Sequence, residues 1–224
     1  MTLGRPRLHV RTIGSTNDRA RELAAAGAPH GTLVTTGEQV AGRGRQGRTW
    51  SAPPGRALLM SLVLRTVDPL LPLRAGLAVA DVAGPEARVK WPNDVLLDGS
   101  KLAGVLVEAR PHDGWAVLGI GLNVAIELDT LPEDVRARAA TLGRPPAALE
   151  ATLDELLRAL GARLAEPAEA ALAALRERDA LAGRSIRWDG GEGVAAGIAG
   201  DGALLVRTAD GEARLAAGEV HLRA

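Results

Sequence analysis

Gly42-Arg43-Gly44-Arg45-Gln46-Gly47, followed by Arg48-Thr49-Trp50-Ser51-Ala52-Pro53-Pro54-Gly55, is the stretch on which the fold turns. Its first six residues match G-x-G-x-x-G, the dinucleotide fingerprint. That motif works only if a helix opens at the last glycine and aims its positive end at a pyrophosphate. A segment holding Pro53, Pro54 and Gly55 cannot supply that helix, so a Rossmann fold is excluded. A kinase glycine loop is excluded as well, because no catalytic-loop or Mg-binding Asp signature follows. What remains is a glycine loop carrying Arg43, Arg45 and Arg48. Glycines let backbone N–H groups converge on an anion, and arginines add bidentate contacts. The three guanidinium groups repel one another in an empty site, so the loop is expected to order around an anion. The plain alternatives are a solvated basic loop or an RGG-like nucleic-acid tether. Trp50 either stacks on a nucleobase or packs.

Outward from this loop the chain alternates strands and helices. Leu8 to Thr12 reads as a strand, and Ser15-Thr16-Asn17-Asp18 as the capping cluster of a helix that stops at Gly27. Thr32 to Thr36 and Ala57 to Leu64 are β-rich, and Leu70 to Val82 is a short helix. Val89 to Trp91, Val95 to Leu97, Leu102 to Glu108 and Trp115 to Val124 read as strands joined by turns. Helical spacing runs over Pro132 to Leu142, Ala147 to Leu164 and Pro167 to Leu181. From Gly183 onward short β segments alternate with glycine turns, which predicts a small barrel. The expected organisation is an α+β fold: a mixed-sheet domain over residues 1–182 and a barrel domain over 183–224.

Composition narrows the function. Lys+Arg and Asp+Glu are both 27, so the chain lacks the basic excess of a general nucleic-acid coat. It has no cysteine, which removes disulfides, thiolate catalysis and cysteine-ligated zinc. His9, His30, His112 and His221 form no cluster, so no metal site of the protein's own is expected. No apolar run reaches the roughly 18 residues of a membrane span, and the amino terminus has no signal-like core. A cytoplasmic protein is expected. One bias is local. The chain has only two lysines (Lys90, Lys101), three asparagines (Asn17, Asn93, Asn123) and two glutamines (Gln39, Gln46). All seven fall within Ser15–Asn17, Gln39–Trp50, Lys90–Gly104 and Gly119–Asn123. Elsewhere the surface uses Arg, Asp and Glu, so these seven point to one site.

Taken in order, Ser15-Thr16-Asn17, Gln39 to Trp50, Lys90-Trp91-Pro92-Asn93-Asp94, Lys101-Leu102-Ala103-Gly104-Val105-Leu106-Val107-Glu108 and Gly119-Ile120-Gly121-Leu122-Asn123 resemble the biotin protein ligases. The resemblance covers essentially the whole chain, including the ending Gly218-Glu219-Val220-His221-Leu222-Arg223. It implies the mixed β-sheet, class II synthetase-like catalytic domain of the biotin/lipoate ligase superfamily with an SH3-like C-terminal barrel. It implies ATP-dependent activation of biotin to biotinyl-5′-AMP, with Mg²⁺, and transfer to a lysine of a biotin carboxyl carrier protein domain. Residue by residue, Ser15, Thr16, Asn17, Gln39, Gly44, Gly119 and Gly121 match biotin-binding positions. Arg43, Arg45 and Lys101 match catalytic positions that also meet biotin. Arg45, Arg48, Trp50, Asn93, Asp94, Lys101 and Asn123 match ATP-binding positions.

The chemistry explains the residue types. Step one brings a carboxylate against a polyphosphate, and cations must offset that repulsion and the charge growing on phosphorus. Lys101, a mobile point charge, suits a group that follows both anions through the transition state. Gly119 and Gly121 are expected where a ligand passes close to a strand, and Ser15 and Thr16 could equally be plain helix caps. Some relatives carry an N-terminal winged helix-turn-helix and repress transcription. This chain starts too close to Ser15 for such a domain, so no nucleic-acid or membrane partner is expected, and the protein is expected to be a monomer or weak homodimer. Two other functions compete: a lipoate or octanoate ligase of the same fold, whose ligand lacks a ureido ring, and a non-enzymatic RNA-binding module, which leaves Lys101, Asn93 and Asn123 unexplained.

Overall fold

The computed structural model describes residues 3–222; the outer limits of both expected domains, residues 1 and 224, lie outside the described residues, as does Arg223. Two sheets make up the molecule. The larger has seven strands in the order β1 (Arg7–Ile13), β2 (Leu33–Gln39), β3 (Ala57–Leu64), β7 (Trp115–Asn123), β6 (Ser100–Arg110), β5 (Asp94–Leu97), β4 (Arg88–Lys90). β1 and β2 are parallel, joined through helix α1 (Thr16–Ala25), and every other pair is antiparallel. Mixed pairing of this kind gives the α+β class expected.

Side-chain parity on the central strands decides where the site lies. In β3 all eight residues are buried. Leu58, Met60, Leu62 and Leu64 enter the main core, while Ala57, Leu59 and Val63 belong to clusters on the opposite face. The polar residue of that second row is Ser61, with no exposure at all. β7 repeats the pattern: Ala116, Leu118, Ile120 and Leu122 point into the main core, and Trp115, Val117, Gly119 and Gly121 fall on the other face. Helix α1 covers one end of this second face with Ala20 and Ala24, against Val34, Val63, Trp115 and Val117. Beyond α1 the same face carries small residues and lies open.

The main-core face is covered by α2 (Leu71–Ala83), on which α4 (Leu149–Ala165) and α5 (Ala168–Arg178) pack. α2, 13 residues long, is buried on nearly all sides. The guanidinium of its Arg74 is also buried and donates to the carbonyls of Arg163 (2.7 Å) and Glu166 (2.9 Å), satisfying the C-terminal end of α4. The expected helix over Pro132–Leu142 is a correction: only α3 (Glu133–Arg136) is helical. The following residues are drawn instead to β6, where Lys101 N donates to Arg138 O (2.7 Å) and Ala140 N to Lys101 O (2.8 Å). Tertiary pairing overrides helical spacing there.

The second sheet, order β11 (Gly211–Leu215), β10 (Leu204–Thr208), β9 (Gly191–Ile198), β8 (Ser185–Trp188), β12 (Val220–Leu222), is wholly antiparallel. It is the expected barrel in open form: among the described residues no ladder joins β11 to β12. Ile186, Leu204, Val206 and Val220 join the main hydrophobic cluster, and Trp91 Nε1 donates to Gly202 O (2.9 Å), tying the sheets together. No helix among the described residues is long and apolar enough to cross a membrane. Since Leu118 is fully buried on the helix-covered face, Leu118→Ala should cost about 2–5 kcal/mol in a urea unfolding titration. A loss below about 1 kcal/mol would mean that this face is not closely packed.

Candidate active site

The open part of the second face is a cleft. Of the residues expected in a site, Ser15, Thr16, Asn17, Gln39, Arg43, Gly44, Arg45, Arg48, Trp50, Asn93, Asp94, Lys101, Gly119 and Gly121 all line it. They come from the start of α1, the end of β2, the Gly/Arg loop, the β4–β5 turn and the strands β6 and β7. Asn123 does not line it. Its Nδ2 donates to Ala140 O (2.8 Å) and lies 3.5 Å from Lys101 O, so it braces the backbone that carries Lys101.

At the start of α1 the capping expectation is revised. Ser15 occupies the cap position in extended conformation, but its side chain makes no capping bond. Gln39 supplies that oxygen from β2: its Oε1 accepts from Thr16 N (2.8 Å) and Thr16 Oγ1 (3.1 Å). The hydroxyls of Thr16 and Ser61 lie 2.8 Å apart, and Ser61 Oγ donates toward Asn17 Oδ1 at 2.6 Å. Asn17 Nδ2 donates to Glu108 Oε2 at 2.9 Å. A continuous polar row thus crosses β2, α1, β3 and β6.

The Gly/Arg loop folds as a narrow hairpin rather than an open cradle. Gly44 N donates to Arg48 O (2.7 Å) and Trp50 N to Gly42 O (3.0 Å), so these N–H groups are used within the loop. A Cβ at Gly42 would stand 2.3 Å from Trp50 O, which is why glycine is needed there. The side chains of the three arginines all line the cleft, and their partners differ. Arg43 pairs with Asp18 (2.7 Å) and Glu108 (3.1 Å); burial works against its charge, but Glu108 and Asp18 raise its pKa above the ordinary value. Arg48 pairs with Glu219, the residue just before β12 of the second sheet, which also lines the cleft. Arg45 faces the amide oxygen of Asn93 at 3.5 Å; burial lowers its pKa, opposed by Glu219 and Asp94. It is the arginine whose charge is least compensated inside the cleft.

Lys101 Nζ is 2.6 Å from Asp94 Oδ1 and 5.7 Å from the centre of the Trp50 ring, within cation–π range. The indole lies flat on the strands: a Cβ at Gly121 would come within 2.4 Å of it and one at Gly104 within 3.0 Å. A Cβ at Gly119 would stand 2.0 Å from Asn17 Oδ1. The two β7 glycines therefore make room for Asn17 and Trp50, which in turn face the cleft. Asn93 is held by donation to Val105 O (2.9 Å). Four residues of consequence were missed from sequence: Ser61, Glu108, Asp18 and Glu219. Ser61 had a signal, a single hydroxyl in the otherwise apolar run Ala57–Leu64.

Comparison with known proteins is consistent with this geometry. Residues 10–124 match the model of the biotin/lipoate A/B protein ligase family, and 191–223 that of the biotin protein ligase C-terminal domain. A biotin--[acetyl-CoA-carboxylase] ligase of Mycobacterium tuberculosis is 38% identical, over 96% of this chain and 88% of its own length. The bifunctional ligase/repressor BirA of Bacillus spizizenii is 37% identical over 63% of this chain, and the match spans about half, 47%, of that relative's length. Among solved structures, the Aquifex aeolicus biotin protein ligase in complex with biotin and ATP superposes with a TM-score of 0.83 at 26% identity, covering 98% of this chain and 99% of its own. Fold, cleft and matched segments agree, and the chain belongs to the biotin/lipoate A/B protein ligase family.

Proposed function

We propose that this chain activates biotin with ATP and transfers it to a lysine of a biotin carboxyl carrier domain in a biotin-dependent carboxylase. One observation carries this: a neutral hydrogen-bonding set (Ser15, Thr16, Asn17, Gln39) and a cationic set (Arg45, Arg48, Lys101) line the same cleft, together with Trp50. The neutral set suits a ureido ring, which both donates and accepts; a lipoyl or octanoyl chain has no polar group to meet the hydrogen-bonding capacity that this row turns to the cleft. Relatives named for biotin ligation and a superposable structure bound to biotin and ATP support the same substrates.

In the first step a carboxylate oxygen of biotin attacks the α-phosphorus of ATP. The bond to the β-phosphate breaks, and pyrophosphate leaves. Lys101 exchanges Asp94 for the two reacting anions and offsets their repulsion, while Arg45 meets the phosphate charge from the loop. Arg48, freed from Glu219, is available to the leaving pyrophosphate. Trp50 offers its ring to the nucleotide, and Asn93 orients Arg45. ATP enters as its Mg²⁺ complex, the ion held largely by phosphate oxygens and water; among the described residues no group of three His, Asp or Glu is arranged to hold a metal, and Asp94 is the carboxylate at hand. In the second step the acceptor amine attacks the acyl carbon of the adenylate, the bond to AMP breaks, and the amine loses a proton. Asp94, relieved of Lys101, is placed to take it.

Lys101→Ala should fold normally and slow single-turnover pyrophosphate release by about a hundredfold or more, the scale of losing one preorganised charge contact. A rate within about threefold of the parent would remove Lys101 from the chemistry. Arg45→Ala should shorten the residence of the adenylate and label bystander lysines; an unchanged residence time would count against its role.

A further inference from the structure

Behind the cleft stand two residues that do not line it, Glu108 on β6 and Ser61 on β3. We infer that Glu108 and Ser61 are positioning residues for biotin: together they fix the donor and acceptor sense of the amide and hydroxyl groups that face the ureido ring. This rests on the biotin-ligase function proposed above.

The inference follows from what each group can donate. An ionised carboxylate only accepts. Glu108 Oε2, 2.9 Å from Asn17 Nδ2, therefore settles which way the Asn17 amide points. Arg21 and Arg43 reach the same carboxylate at 3.2 and 3.1 Å, which holds it aligned. Asn17 Oδ1 is then left facing Ser61 at 2.6 Å with only lone pairs to offer. Ser61 has one hydroxyl proton and two neighbours, Asn17 Oδ1 and Thr16 Oγ1 at 2.8 Å. With Asn17 fixed, that proton goes to Asn17, and the single Thr16 hydroxyl proton, which otherwise serves Gln39 Oε1 at 3.1 Å, is the one left for the contact between Thr16 and the Ser61 oxygen. Gln39 Oε1 is already committed to Thr16 N, so its Nε2 is turned beside Gly42. The order of the row is thus imposed from its Glu108 end. Gly119 makes room for this seat of Asn17, since a Cβ there would stand 2.0 Å from Oδ1.

Glu108→Gln is isosteric but can donate. With Arg21 and Arg43 claiming its oxygen, its NH₂ would face Asn17 and turn the Asn17 amide over. The proton order then reverses down the row, through Ser61 to Thr16. Ser61→Ala removes the link itself while leaving Glu108 and the ion pairs intact.

The test is acceptor-free pyrophosphate release on the full chain, varying biotin and MgATP separately, with thermal melting of each variant. For Glu108→Gln the KM for biotin should rise about tenfold or more, while the KM for MgATP stays within about twofold. The rate at saturating biotin should stay within about threefold, and Tm within ~2 °C. Ser61→Ala should raise the biotin KM in the same selective way. An unchanged biotin KM in both variants would overturn the inference, and so would a parallel rise in both KM values with a lowered Tm, the sign of general loosening. If the parent itself releases no pyrophosphate with biotin, the failure belongs to the proposed function and not to this row.

Discussion

The alternation of side chains along β3 and β7 is the constraint on which the rest of the molecule depends. Each strand must put leucine-sized residues on the face that meets α2 and its partners, because that face supplies the main core. The opposite face is then free to vary, and past the end of α1 it carries Ser61, Gly119 and Gly121. A one-residue register slip would bury the polar row in the core and expose the leucines, so packing and site are specified by the same hydrogen-bond ladder. β3 and β7 are paired along their full length, with Ser61 opposite Gly119 and Leu59 opposite Gly121. This is what holds the site's groups in place, although most of them sit on loops and strand ends.

On that platform the charges are arranged so that an empty cleft does not carry three bare cations. Arg43 leans on Asp18 and Glu108, Arg48 on Glu219, and Lys101 on Asp94. These are partly exposed pairs, individually worth little. In the proposed reaction they would give way: incoming phosphate and carboxylate groups would replace the protein carboxylates at Lys101 and Arg48, while Arg43, held by two carboxylates, would stay with the polar row. The identical residue type thus takes up different duties within six positions of one loop. The second sheet takes part because Glu219, just before β12, reaches the cleft and Trp91 fastens to Gly202.

Much of this was legible beforehand where a physical signal is local. Ala57–Leu64 is a strand from its run of β-compatible apolar residues, and the loop's failure to open a helix after Gly47 follows from Pro53 and Pro54. Of the seven scarce Lys, Asn and Gln side chains, Asn17, Gln39, Asn93 and Lys101 line the cleft, while Gln46, Lys90 and Asn123 stand outside its lining. What could not be read depends on partners distant in sequence. Asn17 meets Glu108 across 91 positions, so neither residue announces the other. The glycines of β7 looked like space for a ligand, and only the register shows that they seat Asn17 and Trp50. Pro132–Leu142 has helical spacing, but the backbone of Lys101 competes for its hydrogen bonds and wins after one turn.

The proposed activity requires one cleft to hold a ureido acid and MgATP together in reacting position without help from an acceptor. Pyrophosphate release measured with no carrier protein, supplying biotin, lipoate or octanoate in turn, tests it most directly. A burst of about one equivalent per chain is expected with biotin alone, because a preorganised site forms and retains its adenylate. A burst with lipoate or octanoate and none with biotin would contradict the substrate assignment, and no burst with any of the three would contradict the activity itself.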